Sequence, residues 1–442
     1  MSAKKDKNAE QFASYLKDAK ILIADTSSAS RRRLAKTIVD LGGKMINIAL
    51  VDSYEEAEQR ITSGDPKVVL SDYYLGGRSG FDVFQKFRKQ NEDAKDTLLV
   101  LITANSSQSA VARAAEEDVD TFILKPYTLD SFRATLIGSA IEKLFPNEYK
   151  RNVDKGKLLL FGGKIDEAMQ VFEQAMKMDP SPSLACYYYG QAETMRQGLE
   201  DAKGSFQKGL TFNGIHYKCL VGLYDLFMSQ SQFEEAYSIV RRVAKYFPAN
   251  PKRLSSVIHL AIRTGNWADM ESYYELFISL DVRDPEVTRS TIAGMIVAAK
   301  YFMREKKEPK GMTLLQKAAV SCAGDRAFLR RIIEAFCEFK KLKEAEETLS
   351  RFAIDDQNGS DFKAARYAIE DVKLDAAKSA EVGANLIQQG VQVASTYDLV
   401  IRRMIEAGMK ERATELATKA IQTWPGESRR FSVYLPPDKS AA

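Results

Sequence analysis

The stretch KVVLSDYYL, residues 67–75, runs from valine and leucine through a serine into an aspartate and two tyrosines. An apolar run this short, preceded by Asp-Pro and followed by Gly-Gly, predicts a strand that is buried on both faces. Asp72 then lies at the carboxyl end of that strand. The stretch ILIAD, residues 21–25, has the same form and places Asp25 at the end of a second strand. Two buried strands therefore end on carboxylates.

Short apolar strands alternate with amphipathic helices throughout residues 20–145. The predicted strands are ILIA, MINIALV, VVLS, LLVLIT and TFILK, and the predicted helices cover 27–41, 53–63, 80–90, 107–117 and 128–144. This alternation predicts an α/β domain with a five-stranded parallel sheet that helices cover on both faces. Ligands of such sheets bind beyond the carboxyl ends of the strands, so Asp25 and Asp72 would flank a crevice.

Length and composition limit the class of protein. A chain of 442 residues predicts two or three domains, and a formal net charge of +4 is too small to favour nucleic acid or an anionic membrane surface. The four cysteines are far apart without a CxxC pair, which favours reduced thiols in a cytoplasmic protein over disulfides or a metal site. The longest apolar stretch, residues 292–299, is too short to span a membrane. We therefore expect a soluble cytoplasmic protein with no nucleic-acid partner and no membrane insertion.

After Pro146 the sequence shows a pattern of small and apolar residues that repeats every 34 residues. A small or apolar residue, a larger one four later and a third three later recur in one register. The sets are Ala168, Phe172 and Ala175; Ala202, Phe206 and Gly209; Ala236, Val240 and Val243; and Met270, Tyr274 and Phe277. After a seven-residue slip around 304–310 the register resumes at Gly311 and Ala345 and ends at Ala413. Small residues let two helices approach closely, so the pattern predicts helix hairpins.

At this period the sequence resembles the tetratricopeptide repeat over residues 149–426, with about seven helix hairpins and the weakest agreement over 355–390. The fold class is then multidomain, an α/β sheet domain followed by an all-α superhelix. Stacked hairpins of this kind form an extended concave surface that binds other molecules. Position nine of each first helix would face that groove, which gives the candidates Lys157, Gln191, Asp225, His259 and Glu334. Their mixed charges favour neither a chaperone-tail receptor nor an RNA-binding repeat protein.

Polar side chains end four of the predicted strands. Asp25 ends the first, Asp72 the third, Thr103 the fourth and Lys125 the fifth. Mg²⁺ prefers oxygen ligands, and two carboxylates with a backbone carbonyl would supply them. A phosphoryl group on Asp72 would bring negative charge that the metal, Lys125 and the Thr103 hydroxyl could stabilise. The group of residues therefore suits an aspartyl phosphate.

The segments VVLSDYYL, LITAN and FILKPYT resemble the receiver domain of two-component response regulators, which has a flavodoxin-like fold, over residues 20–145. The resemblance implies that Asp72 is the phosphoacceptor. It implies that a histidine kinase, a phosphotransfer protein or a small phosphodonor supplies the phosphate. It also implies a Mg²⁺ ion held by Asp25, Asp72 and the backbone carbonyl of Tyr74.

The same resemblance assigns residues that respond to phosphorylation. Thr103 would supply the switch hydroxyl, Lys125 would contact the phosphate, and Phe122 would be the switch aromatic. Tyr74 and Asn105 occupy the positions that tune the lifetime of the acyl phosphate. The alternative is that Tyr73 and Tyr74 simply pack at the strand edge.

One position departs from the receiver pattern. Receivers usually carry two adjacent acids after the first strand, whereas Thr26 follows Asp25 here. A threonine hydroxyl can ligate but adds no charge, so the expected Mg²⁺ affinity is reduced. Two interpretations stay open. The chain is either a response regulator controlled by phosphorylation, or a pseudo-receiver scaffold that docks a kinase or another regulator without being phosphorylated.

The predicted molecule has an N-terminal extension at 1–19, a receiver at 20–145, repeats at 149–426 and a C-terminal tail at 427–442. The extension is expected to be polar and partly helical, with an extra turn before the first strand. The tail is expected to fray, with docking of its FSVYL stretch in the groove as the alternative.

The expected function is that of a bacterial signalling protein. Only FPNEY separates the last receiver helix from the first repeat, so phosphorylation would re-aim the repeats or uncover their groove. The partner in the groove would be a protein or peptide of unknown identity. We expect no enzymatic activity beyond phosphorylation and dephosphorylation of the protein's own aspartate.

Overall fold

The computed structural model describes residues 2–90, 96–103, 119–247, 251–280, 285–322 and 324–435. The chain divides into two compact units, Met1–Arg253 and Leu254–Ala442. The first unit contains a sheet with its helices and the first helix hairpins, and the second contains further helix hairpins.

The first unit is built on a sheet that has five parallel strands among its described residues. Its strands are β1 (Ile21–Ala24), β2 (Ile48–Val51), β3 (Val68–Asp72), β6 (Leu98–Thr103) and β7 (Thr121–Leu124), in the order β2-β1-β3-β6-β7. A two-stranded ribbon, β4 (Tyr74–Leu75) and β5 (Arg78–Ser79), directly follows β3. The predicted α/β class is confirmed. The predicted strand at 45–51 is too long, because Met45–Asn47 form a 3-10 turn before β2.

Helices cover both faces of this sheet. They are α2 (Ser28–Asp40), α3 (Tyr54–Ser63), α4 (Gly80–Gln90) and α5 (Leu129–Leu144). Helices α2 and α5 pack on one face of the sheet, and α3 and α4 pack on the other. The strands are therefore buried on both sides, as their apolar composition predicts. The predicted helix at 107–117 lies outside the described residues.

A helix of 15 residues precedes the sheet, where the sequence predicts a partly helical extension. Helix α1 (Ser2–Leu16) buries Phe12 and Leu16 completely in the core shared with α5. The Tyr15 hydroxyl donates to the backbone carbonyl oxygens of Lys67 (2.7 Å) and Asp96 (2.9 Å). The helix is longer than the expected extra turn, and the expected polar character is wrong for one face, because three ring or aliphatic side chains there have a core to enter.

Helix hairpins follow the sheet, and the described residues contain eight of them. The paired helices are α6 (Glu148–Phe161) with α7 (Ile165–Met178), α8 (Ser183–Met195) with α9 (Leu199–Phe212), α10 (Tyr217–Ser229) with α11 (Phe233–Tyr246), α12 (Pro251–Arg263) with α13 (Met270–Ile278), α14 (Pro285–Arg304) with α15 (Glu308–Ser321), α16 (Arg326–Glu338) with α17 (Leu342–Leu349), α18 (Ser360–Asp371) with α19 (Ala376–Gln388), and α20 (Ala394–Glu406) with α21 (Lys410–Thr423).

The number of hairpins exceeds the predicted seven by one. The extra hairpin is α18 with α19, in the region where the repeat agrees least well with the pattern. Ser379 occupies the small-residue position there and is fully buried. Its backbone carbonyl accepts a hydrogen bond from the Tyr367 hydroxyl (3.0 Å). A polar residue thus does the packing that alanine or glycine does elsewhere.

Close contact between paired helices explains the small residues of the repeat. A side chain at Gly156 would place its Cβ 2.4 Å from the ring of Phe172, and one at Gly190 would place it 2.7 Å from the ring of Phe206. The phenyl rings therefore lie directly against the backbone of the first helix. Glycine at these positions allows that approach.

The seven-residue slip lies within one helix. The first helix of the fifth hairpin, α14, has 20 residues, whereas the first helices α8, α10 and α12 have 13 each. Seven residues make about two helical turns, so the helix face is kept and the 34-residue register resumes afterwards. The extension is therefore helical.

A truncated helix closes the second unit. Helix α22 (Ser428–Ser432) begins 34 residues after α20, where a ninth first helix would begin. Phe431 is fully buried and stacks on Trp424 with ring centroids 6.2 Å apart. The Tyr434 hydroxyl donates to Asp398 (2.8 Å). The expectation that the tail frays is wrong for residues 428–435, because Phe431 has an apolar site on the last hairpin. Residues 436–442 lie outside the described part of the chain.

Candidate functional site

Three of the predicted site residues meet at the carboxyl edge of the sheet. Asp25 follows β1, Asp72 ends β3 and Lys125 follows β7. The Lys125 Nζ lies 2.9 Å from Asp25 Oδ2 and 2.5 Å from Asp72 Oδ2. One ammonium group thus joins carboxylates from two neighbouring strands. Thr103 ends β6, which lies between β3 and β7, and it is almost completely buried.

Asp25 is fixed by the start of α2. Ser27 caps that helix, and its backbone N–H donates to Asp25 Oδ1 (2.8 Å). The Ser30 hydroxyl, one turn further, donates to Asp25 Oδ2 (2.6 Å). Burial raises the pKa of Asp25, but the hydrogen bonds from Ser30, Lys125 and Ser27 outweigh it and hold the pKa below its ordinary value. Asp25 is therefore a carboxylate near neutral pH.

Asp72 and Lys125 respond oppositely to the same burial. Burial raises the pKa of Asp72, the Asp25 charge adds to the rise, and the ion pair with Lys125 only partly opposes it. Burial lowers the pKa of Lys125, but hydrogen bonds to Asp72 and Asp25 outweigh it, so the net shift is upward. Lys125 is thus a cation at neutral pH. It balances one of the two carboxylate charges beside it.

The ribbon after β3 folds the chain back over Asp72. Gly76 and Gly77, at its turn, have φ of 60° and 106°, the left-handed values that a two-residue hairpin turn requires. The N–H of Gly80 donates to the carbonyl of Tyr73 (2.8 Å). Hydrogen-bonded and non-bonded pairs alternate along an antiparallel ribbon, so the next pair, which contains Tyr74, is non-bonded. The carbonyl of Tyr74 is left out of the ribbon's hydrogen bonds.

The return of the ribbon depends on a glycine. A Cβ at Gly80 would lie 2.0 Å from the carbonyl oxygen of Asp72, so the backbones are in contact at this point. The guanidinium of Arg78 lies 4.2 Å from the centroid of the Tyr54 ring on α3, which ties the ribbon to a helix. The backbone near Asp72 is therefore restrained by its contact with Gly80 and by the contact of Arg78 with Tyr54.

The remaining predicted receiver residues lie at or near this edge. Thr26 is exposed beside Asp25. Tyr74 is 57% exposed, so its side chain does not pack at the strand edge as the alternative role requires, whereas the ring of Tyr73 packs edge-on against Phe81 with centroids 5.8 Å apart. Phe122 is partly buried against the cluster formed with α3 and α4. Asn105 lies outside the described residues.

Three residues of the site were not predicted. Ser27 and Ser30 orient Asp25 as described above. Arg31 donates to the carbonyl oxygens of Asp25 (2.5 Å) and Thr26 (3.2 Å). The available signal was the polar SSAS run after the first strand, since serines at a helix start often bond to nearby backbone or side-chain groups.

The donor set fits Mg²⁺ by type but is small. Two carboxylates, Asp25 and Asp72, converge on one point, and the carbonyl of Tyr74 takes no part in the ribbon's bonds. Both oxygens of Asp25 already accept hydrogen bonds, and Thr26 adds no charge. Within the described ranges, no cluster of three or more His, Cys, Asp and Glu side chains is placed to hold a metal. A bound Mg²⁺ ion would keep several waters.

The predicted groove residues lie in two units. Lys157 lies 5.2 Å from the centroid of the Tyr188 ring, and Gln191 is partly buried. Asp225 and His259 are exposed. Glu334, in the second unit, accepts from Arg330 and Ser395 and lines a cavity.

The sheet domain is similar in sequence to known proteins. Residues 21–137 match the family of response regulator receiver domains. The chemotaxis protein CheY-3 of Vibrio cholerae is 30% identical over 129 residues, which are 29% of this chain and 93% of CheY-3. The chain belongs to the response regulator receiver family. Its receiver is also similar to the chemotaxis protein CheY of Pseudomonas aeruginosa, at 29% identity over 126 residues, 28% of this chain and 95% of CheY.

The chain is also similar to solved structures of tetratricopeptide-repeat proteins. One is a tetratricopeptide repeat protein from Parabacteroides merdae, with 13% identity, a TM-score of 0.29, and coverage of 58% of this chain and 98% of that one. Another is YrrB, described as having an unusual peptide-binding site, with 16% identity, a TM-score of 0.28, and coverage of 42% and 91%. The 34-residue hairpins themselves give this part, after the receiver, a tetratricopeptide-repeat fold. Among the helices described, none is both long and apolar enough to cross a bilayer.

Proposed function

We propose that this protein is a response regulator that accepts a phosphoryl group on Asp72 and thereby controls protein binding by its repeats. The observation that carries the proposal is the shared contact of Lys125 with Asp72 and Asp25. A cation beside the acceptor can form ionic contacts with the phosphoryl oxygens once the phosphoryl group is bound to Asp72. The donor would be a histidine kinase, a phosphotransfer protein or a small phosphodonor.

The acceptor atom can be assigned from its contacts. Asp72 Oδ2 lies 2.5 Å from Lys125 Nζ, whereas Oδ1 has a long contact of 3.5 Å with the N–H of Tyr74. Oδ1 is therefore the less engaged oxygen, and we assign the attack on phosphorus to it. With a phosphohistidine donor, the new O–P bond forms as the N–P bond of the donor breaks. The leaving imidazole keeps the electron pair of that bond and takes a proton from water.

Residues around Asp72 hold the charges that the transfer requires. Lys125 exchanges its contact with the Asp72 carboxylate for one with the phosphoryl oxygens. Asp25, held by Ser27 and Ser30, would bind Mg²⁺ together with Asp72 and the carbonyl of Tyr74. When bound, Mg²⁺ supplies positive charge to the phosphoryl group.

A second function is supported by the departure at Thr26. With one carboxylate missing and both oxygens of Asp25 in use, the metal site is weak. A receiver that is never phosphorylated would act as a constant docking surface for a kinase or another regulator. The same repeats would then bind their partner without a switch.

The repeats are the output of the proposed regulator. They carry no catalytic role in this proposal, so the chemistry of the protein is limited to its own aspartate. The four cysteines are unpaired and buried, which supports a location in the reducing cytoplasm.

The test is phosphorylation of the full chain by phosphoramidate with Mg²⁺, followed on a phosphate-affinity gel. We expect a slower-migrating band that Asp72→Asn abolishes. The matched control is Asp65→Asn, an exposed acid just before β3, which should leave the band unchanged. Absence of the band in the unaltered protein, at saturating donor and metal, would overturn this proposal in favour of the constant docking scaffold.

A further inference from the structure

A cavity of about 610 Å³ lies between the second and third hairpins, in the first unit. Its wall combines residues of the second helices α9 and α11 with residues of the first helix α10. The predicted groove residues of these hairpins, Gln191 and Asp225, are not part of this wall. The cavity is therefore a site separate from the predicted concave groove.

The floor of this cavity is apolar. Leu223, Phe227 and Ile239 line it and are only 2%, 6% and 8% exposed. Cavities of about 300–1,000 Å³ that combine an apolar lining with a few polar groups are typical binding sites for small molecules. An aromatic ligand that covered this floor would remove apolar surface from water.

A smaller cavity, of about 390 Å³, occurs one repeat earlier, among α7, α8 and α9. Six of its wall residues lie 34 positions before wall residues of the larger cavity: Glu173, Met176, Lys177, Tyr189, Ser205 and Lys208. The two cavities thus occupy the same place in consecutive hairpins. Residues that differ between them show what the larger cavity lacks.

One wall of the smaller cavity is a tyrosine. The Tyr189 hydroxyl donates to Glu173 Oε1 on α7 (3.2 Å). The matching residues of the larger cavity are Leu223 and Gln207, so the phenol ring is missing there. Gln207 still offers an amide oxygen that can accept a hydrogen bond. The chain itself therefore shows how a phenol is bound at this place in a hairpin.

The charges of the wall favour a cation. The charged residues of the larger cavity are Glu234, Glu235 and Arg242. Both glutamates are exposed in the first turn of α11, whereas Arg242 already donates to the backbone carbonyl of Gly214 (2.8 Å). The wall has one negative charge in excess. An ammonium group is therefore attracted more than a carboxylate.

A lysine beside the wall does not change this balance. Lys203 Nζ lies 5.8 Å from the centroid of the Phe227 ring and 3.7 Å from the carboxylate of Glu200. Its charge is offset by that carboxylate on the same helix.

We propose that the larger cavity binds a small phenol that carries an ammonium group. The ring covers Leu223 and Phe227, and the hydroxyl donates to the amide oxygen of Gln207. The ammonium group faces Glu234 and Glu235. This inference goes beyond the proposed switch and makes no use of the receiver.

The test uses the full chain and tyramine as the probe, with affinities from titrations by saturation-transfer difference NMR. Phenethylamine is the matched ligand, since it differs from tyramine only in lacking the hydroxyl. We expect tyramine to bind about fivefold more tightly, because a hydrogen bond is lost with phenethylamine. 4-Hydroxyphenylacetate, with a carboxylate in place of the ammonium group, should bind more weakly than tyramine.

Matched variants locate the site. Leu223→Tyr places in the larger cavity the side chain that Tyr189 supplies one repeat earlier, and it should abolish tyramine binding. Gln207→Leu alters an exposed residue, and it should remove the preference for tyramine over phenethylamine while both still bind. Tyr189→Phe is the control, because it removes a hydroxyl from the smaller cavity only, and it should leave both affinities unchanged. Circular dichroism establishes that each variant is folded.

Several results would overturn the inference: no saturation transfer to tyramine, equal affinities for tyramine and phenethylamine, or a preference for tyramine that survives in Gln207→Leu. Tighter binding of the capped dipeptide acetyl-Tyr-Lys-amide than of tyramine would assign the cavity to a side chain of a partner protein, and would overturn it as well. Asp72→Asn should bind tyramine as the original protein does, so a failure of the proposed switch leaves this test intact.

Discussion

At the scale of single residues, a glycine beside the acceptor gives a sharp prediction. In Gly80→Ala the new Cβ would lie 2.0 Å from the carbonyl oxygen of Asp72, so the ribbon has to move. We expect phosphorylation to slow by about 100-fold, since a displacement of the acceptor by about 1 Å costs that much. The measurement is the rate of phosphorylation by phosphoramidate.

The control for this substitution is Gly138→Ala. Gly138 lies inside α5, and a Cβ there meets no atom within 4 Å. Replacing it should stabilise the helix by up to about 1 kcal/mol and leave the phosphorylation rate unchanged. If Gly80→Ala behaves like Gly138→Ala, the close approach of the two backbones does not matter to the site.

The receiver site also shows which side chains a sequence can place. Asp72 and Lys125 were predictable because the ends of buried parallel strands meet at one edge. The roles of Ser30 and Arg31 depend on how α2 starts above that edge. A helix start can shift by a residue without changing the apolar pattern, so these side-chain contacts were not predictable.

A histidine in the repeats predicts a dependence of stability on pH. His216 caps α10, and its Nδ1 accepts the N–H of Cys219 (3.3 Å). Burial, with the nearby charge of Lys218, lowers the pKa of His216 from 6.5 to about 4. The unfolded chain takes up the proton first as the pH falls, so the free energy of unfolding decreases between about pH 6.5 and about pH 4.

Urea titrations across that range check the prediction. In His216→Asn an amide oxygen keeps the cap but does not titrate, so this part of the pH dependence should disappear. His259→Asn replaces an exposed histidine and should leave it in place. Equal pH profiles for the original protein and His216→Asn would contradict the assignment.

At the scale of elements, the pattern of apolar residues predicted the strands and helices that are buried on two faces. It missed those that bury only one face. The strands of the sheet were found because both their faces are buried. The length and the buried face of helix α1 were missed because only a few of its side chains enter the core. The hairpin of α18 and α19 was miscounted because Ser379 stands where the repeat pattern expects alanine or glycine.

The buried face of α1 leads to a test of its structural role. Phe12→Ala removes a fully buried ring from the core of the receiver, which should lower the free energy of unfolding by about 3–5 kcal/mol. Glu10→Ala, on the exposed face of the same helix, should change it by less than about 0.5 kcal/mol. Chemical denaturation followed by circular dichroism measures both. A Phe12→Ala variant as stable as Glu10→Ala would mean that α1 is only an appendage.

At the scale of the whole molecule, the chain divides into two compact units. The repeat length and the strand alternation predicted a receiver followed by hairpins, because both patterns extend over many residues. The division at residues 253 and 254 falls inside α12, within a series of hairpins that share one period. No change in sequence character marks this position, so the sequence could not reveal it.

Burial in two distinct clusters predicts additive effects of two substitutions. Phe12 lies in a core cluster of the first unit and Phe431 in one of the second, and both are fully buried. Alanine at both positions should lower the free energy of unfolding by the total of the two single effects, within about 0.5 kcal/mol. A double-mutant cycle in guanidinium measures this. A coupling energy well above that margin would contradict the independence of the two sites.

The seven extra residues of α14 show how such an array tolerates a change in length. Two complete turns lengthen one helix without changing the rotation of the hairpins that follow it. Those hairpins therefore stack as they would without the insertion. An insertion of five residues would instead swing every later hairpin around its axis by more than a third of a revolution. Natural variation in the lengths of these helices should therefore come in steps of whole turns, and the extra turns are free to acquire side chains that contact the next hairpin, as Lys300 contacts Glu338 (2.8 Å).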